Sequence, residues 1–449
     1  MNYSTMLSAI VKELGEDCSY STRMASAVEL WGRMYSDTPP WVDNDKVMSA
    51  GVAAAVASEA ARLMTIELKA QADGSDLIGR ALQGIVIPKL RKFAEYGLAK
   101  GSLIIKPIVT QSGLMTQFIQ ADKFYPLSFD SGGELTRCAL IDQKRSGRTV
   151  FTRIEIHSIE NGVLTVSNRA FRSMSDGVLG GRIQLAEVPE WAGLADEQSF
   201  TGTNKLPFGL FRCPLANQID SDSPLGVSIY SRATEHIKEA DRRYGDICWE
   251  YESKQAAVHL AESMMKYDRE NDRYIAPAGR ERLYRALPYS SGASDKPLVD
   301  VYSPEIRSSA YFEGFNAQLR LIEFDCSLAY GTISDPQTVD KTATEVEASK
   351  QRSYTMITDC QAAMTTALND WAEGALFWAR LYGLERSGSV RLDLDWGDSI
   401  LADPQLEREE DRKDLANGTL RPEEYRAKWR GETVEEALAN LPQTAQVME

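Results

Sequence analysis

The sequence contains few of the residues that metal sites and disulfide frameworks require. Its only histidines are His157, His236 and His259, and even the two nearest lie too far apart to chelate a metal from one helix. None of the six cysteines has a neighbour at Cys-x-x-Cys spacing: Cys18, Cys138, Cys213, Cys248, Cys326 and Cys360. Neither a zinc site nor a disulfide scaffold is predicted, no metal or other cofactor is expected, and the thiols suit assembly in a reducing cytoplasm.

Three further patterns are missing from the chain. It has no Walker-type phosphate loop, so ATP hydrolysis, if coupled to this protein, is expected to belong to a partner. The N-terminus has no signal-peptide pattern, and no run of eighteen apolar residues occurs. We therefore expect no membrane span and no membrane partner.

The chain is long enough for two or three domains, with 449 residues of which 43% are apolar. Its N-terminal part predicts an α+β fold. Residues 47–70 and 75–96 are rich in Ala and Leu and predict helices, whereas the alternating runs 103–109 and 149–157 predict strands joined by glycine-bearing turns.

Two helical segments follow, each with a narrow apolar seam. In the first, apolar residues recur at steps of three and four from residue 229 to residue 251 among charges of alternating sign. The second repeats the pattern from residue 308. The seam residues that we expect to contact another helix or subunit are Ile237, Tyr244, Tyr251, Phe315, Leu319 and Ile322. An ordinary antiparallel pair inside one globular core accounts for this periodicity equally well.

Between these helices lies a compact insert. Residues 274–277, 282–287 and 298–302 predict short strands separated by turns. About forty residues cannot bury a sufficient core, so we expect the insert to pack against copies of itself or a partner. Its basic residues could face nucleic acid or an acidic protein, or simply solvent: Arg273, Arg280, Arg282 and Arg285.

A polar, proline-bearing loop then leads directly into a long helix. The three-and-four apolar stripe continues for about forty residues from Ala343 to Tyr382, and Gly383 ends it. At 1.5 Å per residue, such a helix is roughly 55 to 60 Å long. No catalytic constellation surrounds the loop, which suggests a conduit rather than an active site.

The chain resembles the portal (head-to-tail connector) proteins of tailed bacteriophages, in particular the Gp6-like group. The resemblance covers the order of elements over essentially the whole chain. It is strongest in five segments: 213–217 (CPLAN), 223–228 (SPLGVS), 342–346 (TATEV), 349–352 (SKQR) and 396–400 (WGDSI).

The resemblance implies a portal fold with wing, helical stem, small α/β clip, long spine helix and short C-terminal crown. The implied division is 1–226 wing, 227–262 stem helix, 263–307 clip, 308–330 stem helix, 331–342 tunnel loop, 343–384 spine helix, and 385–449 wing strand and helical crown. On this basis the seam residues would form subunit contacts, and the four arginines of the clip would dock the motor and neck proteins. The residues facing DNA would be Asp335, Gln337, Thr338, Asp340 and Lys341.

The resemblance also implies an assembly and its partners. The protein would form a ring, usually of twelve subunits, at one capsid vertex of the virion, after assembly in the host cytoplasm. Double-stranded DNA would enter through the ring, driven by the terminase, and leave through it without sequence-specific binding. Further partners would be a neck adaptor protein, the major capsid protein and scaffolding proteins.

Net charge bears on a role with DNA. The chain has 50 basic and 65 acidic residues, a formal charge of −15, which is opposite to what a phosphate-neutralising protein needs. A channel, however, must not hold its cargo, and a wall of mixed or negative potential would let DNA slide. Lys341 in the loop is either a sparse inward-facing exception or a solvated lysine beside Asp340.

Two alternatives remain. An acidic cluster near the C-terminus could belong to a hydrolase or metal-dependent nuclease: Glu407, Glu409, Glu410, Asp411 and Asp414. Arg408, Arg412 and Lys413 are interleaved with it, which favours the polar face of a surface helix, and we do not expect an enzyme. A non-portal structural or scaffold protein of a virion would share the acidic character but would not need the polar loop.

Overall fold

The computed structural model describes residues 3–15, 21–43, 46–175, 177–261, 266–269, 272–275, 284–287, 299–335, 343–386, 388–397 and 404–441. Helices and strands are both abundant, and nearly all strand pairs in these ranges are antiparallel. The fold class is therefore α+β, as the sequence predicts.

The described helices are distributed along the whole chain. They are α1 Tyr3–Leu14, α2 Thr22–Tyr35, α3 Val52–Thr65, α4 Asp76–Ala81, α5 Ile87–Lys100, α6 Thr234–Ser253, α7 Ser308–Asp325, α8 Ala343–Leu381, α9 Pro404–Asn417, α10 Pro422–Arg430 and α11 Val434–Ala439. A π-helical turn, Leu82–Val86, joins α4 to α5. Gly101, with φ of 87°, ends α5 in the left-handed conformation that favours glycine.

Most of the described strands lie in the sequence between α5 and α6 or between α6 and α7. They are β1 Lys69–Asp73, β2 Ser102–Thr110, β3 Gly113–Gln120, β4 Phe124–Phe129, β5 Leu135–Ser146, β6 Thr149–Glu160, β7 Val163–Ser173, β8 Gly181–Ile183, β9 Glu197–Thr201, β10 Gly209–Arg212, β11 Ala257–Ala261, β12 Lys266–Asp268, β13 Arg273–Ile275, β14 Tyr284–Leu287, β15 Val299–Tyr302 and β16 Arg391–Asp395.

These strands form five sheets. The largest has the order β4-β5-β6-β7-β8, with β9 also pairing with β7, and a three-stranded sheet has the order β10-β2-β3. A small sheet, β14-β11-β15, contains the parallel β11–β14 pair, and β12 pairs with β13. The fifth sheet joins β1 to β16 antiparallel, so the end of the chain returns to its N-terminal part.

The main core lies where α8 packs against α3, β2 and β10. Trp371 is fully buried there, and its indole Nε1 donates a hydrogen bond to Thr116 Oγ1 at 3.1 Å. Gly374 lets α8 approach the backbone of Pro207 closely, because a Cβ at this position would lie 2.5 Å from the carbonyl oxygen of Pro207. The long helix predicted from the apolar stripe is thus confirmed over 39 residues.

Several boundaries differ from the sequence predictions. The helix predicted for 227–262 begins at Thr234 and ends at Ser253, because residues 257–261 form β11, which pairs with strands on both sides. The helix predicted for 47–70 is shorter, α3, because residues 69–73 form β1. The helix predicted for 308–330 ends at Asp325, where Ser327 adopts a φ of 55°. The strands predicted at 103–109 and 149–157 are confirmed. The three short strands predicted in the insert are confirmed over their described parts, as β13, β14 and β15, whereas residues 276–277, 282–283 and 298 lie outside the described residues.

Candidate functional site

Helices α6 and α7 form an antiparallel pair that packs mainly on itself. Near one end, the Glu250 carboxylate accepts hydrogen bonds from Arg307 Nε at 3.2 Å and Arg307 NH2 at 2.9 Å. Near the other end, Gln318 Nε2 lies 2.9 Å from His236 Nδ1 and donates to the His236 carbonyl oxygen at 3.2 Å. The pair is therefore fastened at both ends by polar contacts within the chain.

The N-terminal part of the chain is attached to α6. Asp241 is buried, and its carboxylate accepts one hydrogen bond from Trp41 Nε1 and one from the backbone N–H of Ala50, both at 2.8 Å. Gly245, one turn further on, faces the carbonyl oxygen of Lys46 so closely that a side chain would not fit. Residues 41–43 and 46–50 thus fix one face of the helix pair.

A buried carboxylate holds the chain that leaves α7. Glu323 is fully buried. Its Oε1 accepts the backbone N–H groups of Ile333 at 2.7 Å and Ser334 at 2.9 Å, and Oε2 accepts the Ser334 hydroxyl at 2.8 Å. The N–H of Gly331 donates to both oxygens, at 3.1 and 3.2 Å. We call residues 331–335 the loop root, because they lead into the predicted DNA-facing loop.

The loop root and the preceding turn are tied to two helices. The backbone N–H of Asp335 donates to Asn316 Oδ1 on α7 at 2.6 Å. The N–H of Ala329 donates to Ser353 Oγ on α8 at 2.6 Å. Nearby, the Arg352 guanidinium lies over the ring of Phe324 at 4.8 Å, a distance typical of a cation–π contact. Hydrogen bonds to α7 and α8 therefore hold the chain between Ala329 and Asp335.

Of the five residues predicted to face DNA, the structure describes Asp335 alone, at the end of the loop root and exposed. The other four, Gln337, Thr338, Asp340 and Lys341, lie outside the described residues. The predicted clip arginines are divided in the same way. Arg273 lies on β13 opposite Asp268, and Arg285 lies on β14 opposite His259, whereas Arg280 and Arg282 lie outside the described residues.

The six predicted subunit-contact residues fall into two groups. Ile237, Leu319 and Ile322 are buried and belong to the core of the chain itself. Such side chains are already covered, so they cannot contribute much area to a second subunit. Tyr244 and Tyr251 are exposed, and Phe315 is half-buried against Tyr244 with ring centroids 6.2 Å apart. Of the six predicted residues, only Tyr244, Tyr251 and Phe315 therefore have side-chain area left for contact with a second subunit.

The structure adds apolar residues that the seam pattern did not single out. Among the described residues, more than half of the exposed large apolar side chains lie between Tyr244 and Phe324. Those on the helix pair outside the predicted seam are Trp249, Leu321 and Phe324, and those on β15 are Val299, Val301 and Tyr302; Phe312, which the seam pattern includes, is also exposed. On the helix pair, Trp249, Leu321 and Phe324 could have been noticed in the sequence, because they are large apolar residues at helix positions outside the seam.

A buried ionic cluster that no sequence pattern had indicated lies between the six-stranded sheet and the β10-β2-β3 sheet. Glu155 on β6 accepts hydrogen bonds from Lys106 Nζ on β2 and lies 3.1 Å from Arg153 NH2 and 2.5 Å from His157 Nε2. Burial disfavours ionisation of Glu155, but Lys106, His157 and Arg153 together hold the pKa of this carboxyl well below its usual range. Burial lowers the pKa of His157, and its hydrogen bond with Glu155 opposes that shift.

This cluster lines a cavity of about 500 Å³, whose walls include Trp191, Trp378 and Tyr382. Arg153, Glu155 and His157 alternate with Ile154 and Ile156, so the five-residue pattern RIEIH places three polar side chains on one face of β6. The pattern was a signal that could have revealed the cluster. Within the cluster, Lys106 and Arg153 both pair with Glu155, and the Lys106–Glu155 contact joins β2 to β6.

The acidic C-terminal residues occur on α9, as predicted for a surface helix. Asp411 accepts a hydrogen bond from Trp429 Nε1 and pairs with Lys428 Nζ, both at 2.8 Å, so it fastens α9 to α10. Glu409 and Asp414 are exposed. In the described ranges, no group of three or more His, Cys, Asp or Glu residues has an arrangement that could hold a metal ion.

Within the described part of the chain, no helix is both long enough and apolar enough to cross a membrane. Comparison with known proteins adds no assignment: no protein-family model matches the chain, and no curated protein matches its sequence.

Proposed function

We propose that the chain is the portal subunit of a tailed bacteriophage. In this proposal it forms a ring, usually of twelve copies, at one capsid vertex of the virion, having assembled in the host cytoplasm. Double-stranded DNA passes through the ring during packaging by the terminase and during ejection, without sequence-specific binding. The protein is not an enzyme in this account and has no membrane partner.

The exposed apolar side chains on α6, α7 and β15 carry the proposal. Large apolar groups concentrated in one region of a surface usually mark an interaction site, because leaving them in water is unfavourable. A cyclic assembly uses two different faces of each subunit, and a helix pair that exposes Trp249, Phe312 and Phe324 offers apolar area for such contacts. The occupant of these faces is another copy of this chain.

The connection between α7 and α8 supports the same function. A helix pair bearing a small sheet leads through a fixed loop root into a 39-residue helix, the order expected for stem, clip, tunnel loop and spine. On this view α6 and α7 are the stem, β11 to β15 belong to the clip, and residues 331–342 are the tunnel loop, which faces the DNA from Asp335 onward. The net charge of −15 would keep the DNA from adhering to the channel wall.

The remaining partners follow from the position of each part. The clip, with Arg273 and Arg285 on its strands, would dock the terminase motor and later the neck adaptor. The N-terminal α+β part, closed by the β1–β16 pair, would be the wing that contacts the major capsid and scaffolding proteins. Helices α9 to α11 would form the crown.

Charge placed on the exposed apolar surface tests the proposal. Trp249→Asp and Phe312→Asp should each reduce the assembly to smaller species in sedimentation velocity, because an unpaired charge in a subunit interface is costly. Leu438→Asp is the matched control, since Leu438 is 60% exposed on α11 and Trp249 is 65% exposed. Ile237→Asp should instead unfold the chain, because Ile237 is buried within it. Unchanged sedimentation of both helix-pair variants would contradict the proposed subunit contacts.

A further inference from the structure

We propose that Glu323 is a positioning residue that fixes the loop root and thereby sets where the chain leaves the helix pair for residues 336–342. The hydrogen bonds that define this role are a property of the single chain. That the following residues face DNA rests on the proposed function. The two statements can therefore fail separately.

The surroundings of Glu323 show why a carboxylate is needed. Its two oxygens accept from three backbone N–H groups and one hydroxyl, and no lysine or arginine of the described residues pairs with it. A buried carboxylate without a cation is tolerated where several donors satisfy both oxygens, and hydrogen bonds to a charged group are stronger than neutral ones. In the described part of the chain, the donors come from residues 331–334, so the carboxylate acts as a template for that turn.

A glutamine in the same place could not act as this template. It has the volume of glutamate but only one acceptor oxygen, and its amide N–H₂ would face groups that are themselves donors. Some donors of the loop root would then be buried without a partner, which favours opening of the turn. The backbone adds to this need, because Gly331 has a φ of 88° and the turn is not held by regular secondary structure.

The position of Glu323 couples the loop root to the helix pair. It lies in the last turn of α7, and Asn316, two turns earlier on the same helix, accepts a hydrogen bond from the N–H of Asp335. On the other side, Ser353 of α8 binds the N–H of Ala329. If DNA pulls on the loop, the carboxylate would transmit that load to α7, and the loop would keep its place in the channel.

Hydrogen exchange on the purified full-length protein tests the proposal. Glu323→Gln should accelerate amide exchange at residues 331–334 on the order of tenfold, the effect of losing one charge-assisted hydrogen bond. Glu250→Gln is the matched control, because Glu250 is a buried carboxylate on the same helix pair that accepts from Arg307. It should accelerate exchange near Arg307 and leave the loop root unchanged. Equal exchange at 331–334 in Glu323→Gln and the unaltered protein would overturn the proposal.

A milder pair of variants covers the case in which Glu323→Gln does not fold. Ser334→Ala removes only the hydroxyl that donates to Oε2, whereas Ser334→Thr keeps a hydroxyl at that position. Faster exchange at 331–334 in the alanine variant, restored in the threonine variant, supports the carboxylate template. Exchange that is unchanged in both contradicts it. A protein that does not form a ring would contradict the proposed portal function but would leave this exchange test intact.

Discussion

The carboxylate of Glu250 accepts three hydrogen bonds from Arg307, a residue 57 positions later that precedes α7. Two come from the guanidinium and one, at 3.2 Å, from the backbone N–H. Arg307 also lies 5.3 Å from the ring of Tyr311. One side chain of α6 thus fixes both the start of α7 and the return of the chain from the insert.

This relationship predicts a loss of stability in acid. The hydrogen bonds from Arg307 lower the pKa of Glu250 to about 2. A carboxyl whose pKa is lower in the folded state stabilises the protein above its unfolded pKa, and that stabilisation is lost as pH falls towards the folded value. The free energy of unfolding should therefore fall between about pH 4.5 and pH 2. In Glu250→Gln this part of the pH dependence should disappear.

The exposed neighbour Glu252 is the control for this measurement. Glu252→Gln should retain the acid dependence of the unaltered protein when unfolding is followed by denaturant titration at several pH values. An identical pH profile for Glu250→Gln and the unaltered protein would show that the Glu250–Arg307 contact does not contribute.

Gly245 and Gly314 predict opposite effects for the same substitution. In Gly245→Ala the new methyl group would meet the carbonyl oxygen of Lys46, and the overlap should destabilise the protein by about 1–3 kcal/mol. In Gly314→Ala the nearest atom is Arg243 NH1 at 3.0 Å, at the end of a side chain that can move. Because alanine favours helix by about 1 kcal/mol, this variant should be neutral or more stable. Thermal unfolding distinguishes the two, and equal stability would contradict the close approach at Gly245.

The buried cluster around Glu155 predicts a large loss of stability. Glu155→Gln would leave the charges of Lys106 and Arg153 buried without their main partner, which should cost about 3–5 kcal/mol of unfolding free energy. Glu197→Gln, at an exposed position on β9, should change the unfolding free energy by less than about 0.5 kcal/mol. Similar denaturant midpoints for the two variants would show that the cluster does not stabilise the contact between the two sheets.

Burial predicts which thiols react in the native protein. Burial raises the pKa of Cys326, and a hydrogen bond with Cys213, together with burial, raises the pKa of Cys360. Cys248 on α6 is half-buried, so it should be labelled by a thiol reagent at pH 7 well before these two. The test uses a Cys18→Ser background, because Cys18 lies outside the described residues, and Cys248→Ser should remove the fast phase. Rapid labelling of Cys360 would contradict the tight packing of α8.

Local patterns were sufficient to predict α6, α7 and α8, since each has a period of 3.6 over many residues, and to indicate β13, β14 and β15. They did not reveal β11 or β12. A strand returning from the end of the chain to the wing was expected from the resemblance alone, and the two strands that pair there, β1 and β16, had no local signal. These strands pair Lys69 with Asp395 across more than three hundred residues, and neither segment is rich in β-branched or aromatic residues.

The candidate site shows the same limit. The seam pattern selected Ile237, Leu319 and Ile322, which pack within the chain, because periodicity identifies an apolar face but not what covers it. The template around Glu323 was missed, since a lone glutamate in a helix resembles any solvated charge. Its role depends on the backbone N–H groups of Ile333 and Ser334, whose direction is set by the folded turn.

The most direct test of the proposed portal function is the native mass of the purified full-length protein, measured together with its image by electron microscopy. The account predicts a closed ring of about twelve copies of the 49.9 kDa chain around a central channel, with α6 and α7 next to the axis. A monomer or dimer at concentrations well above those used for imaging, or a closed assembly without a channel, would contradict it.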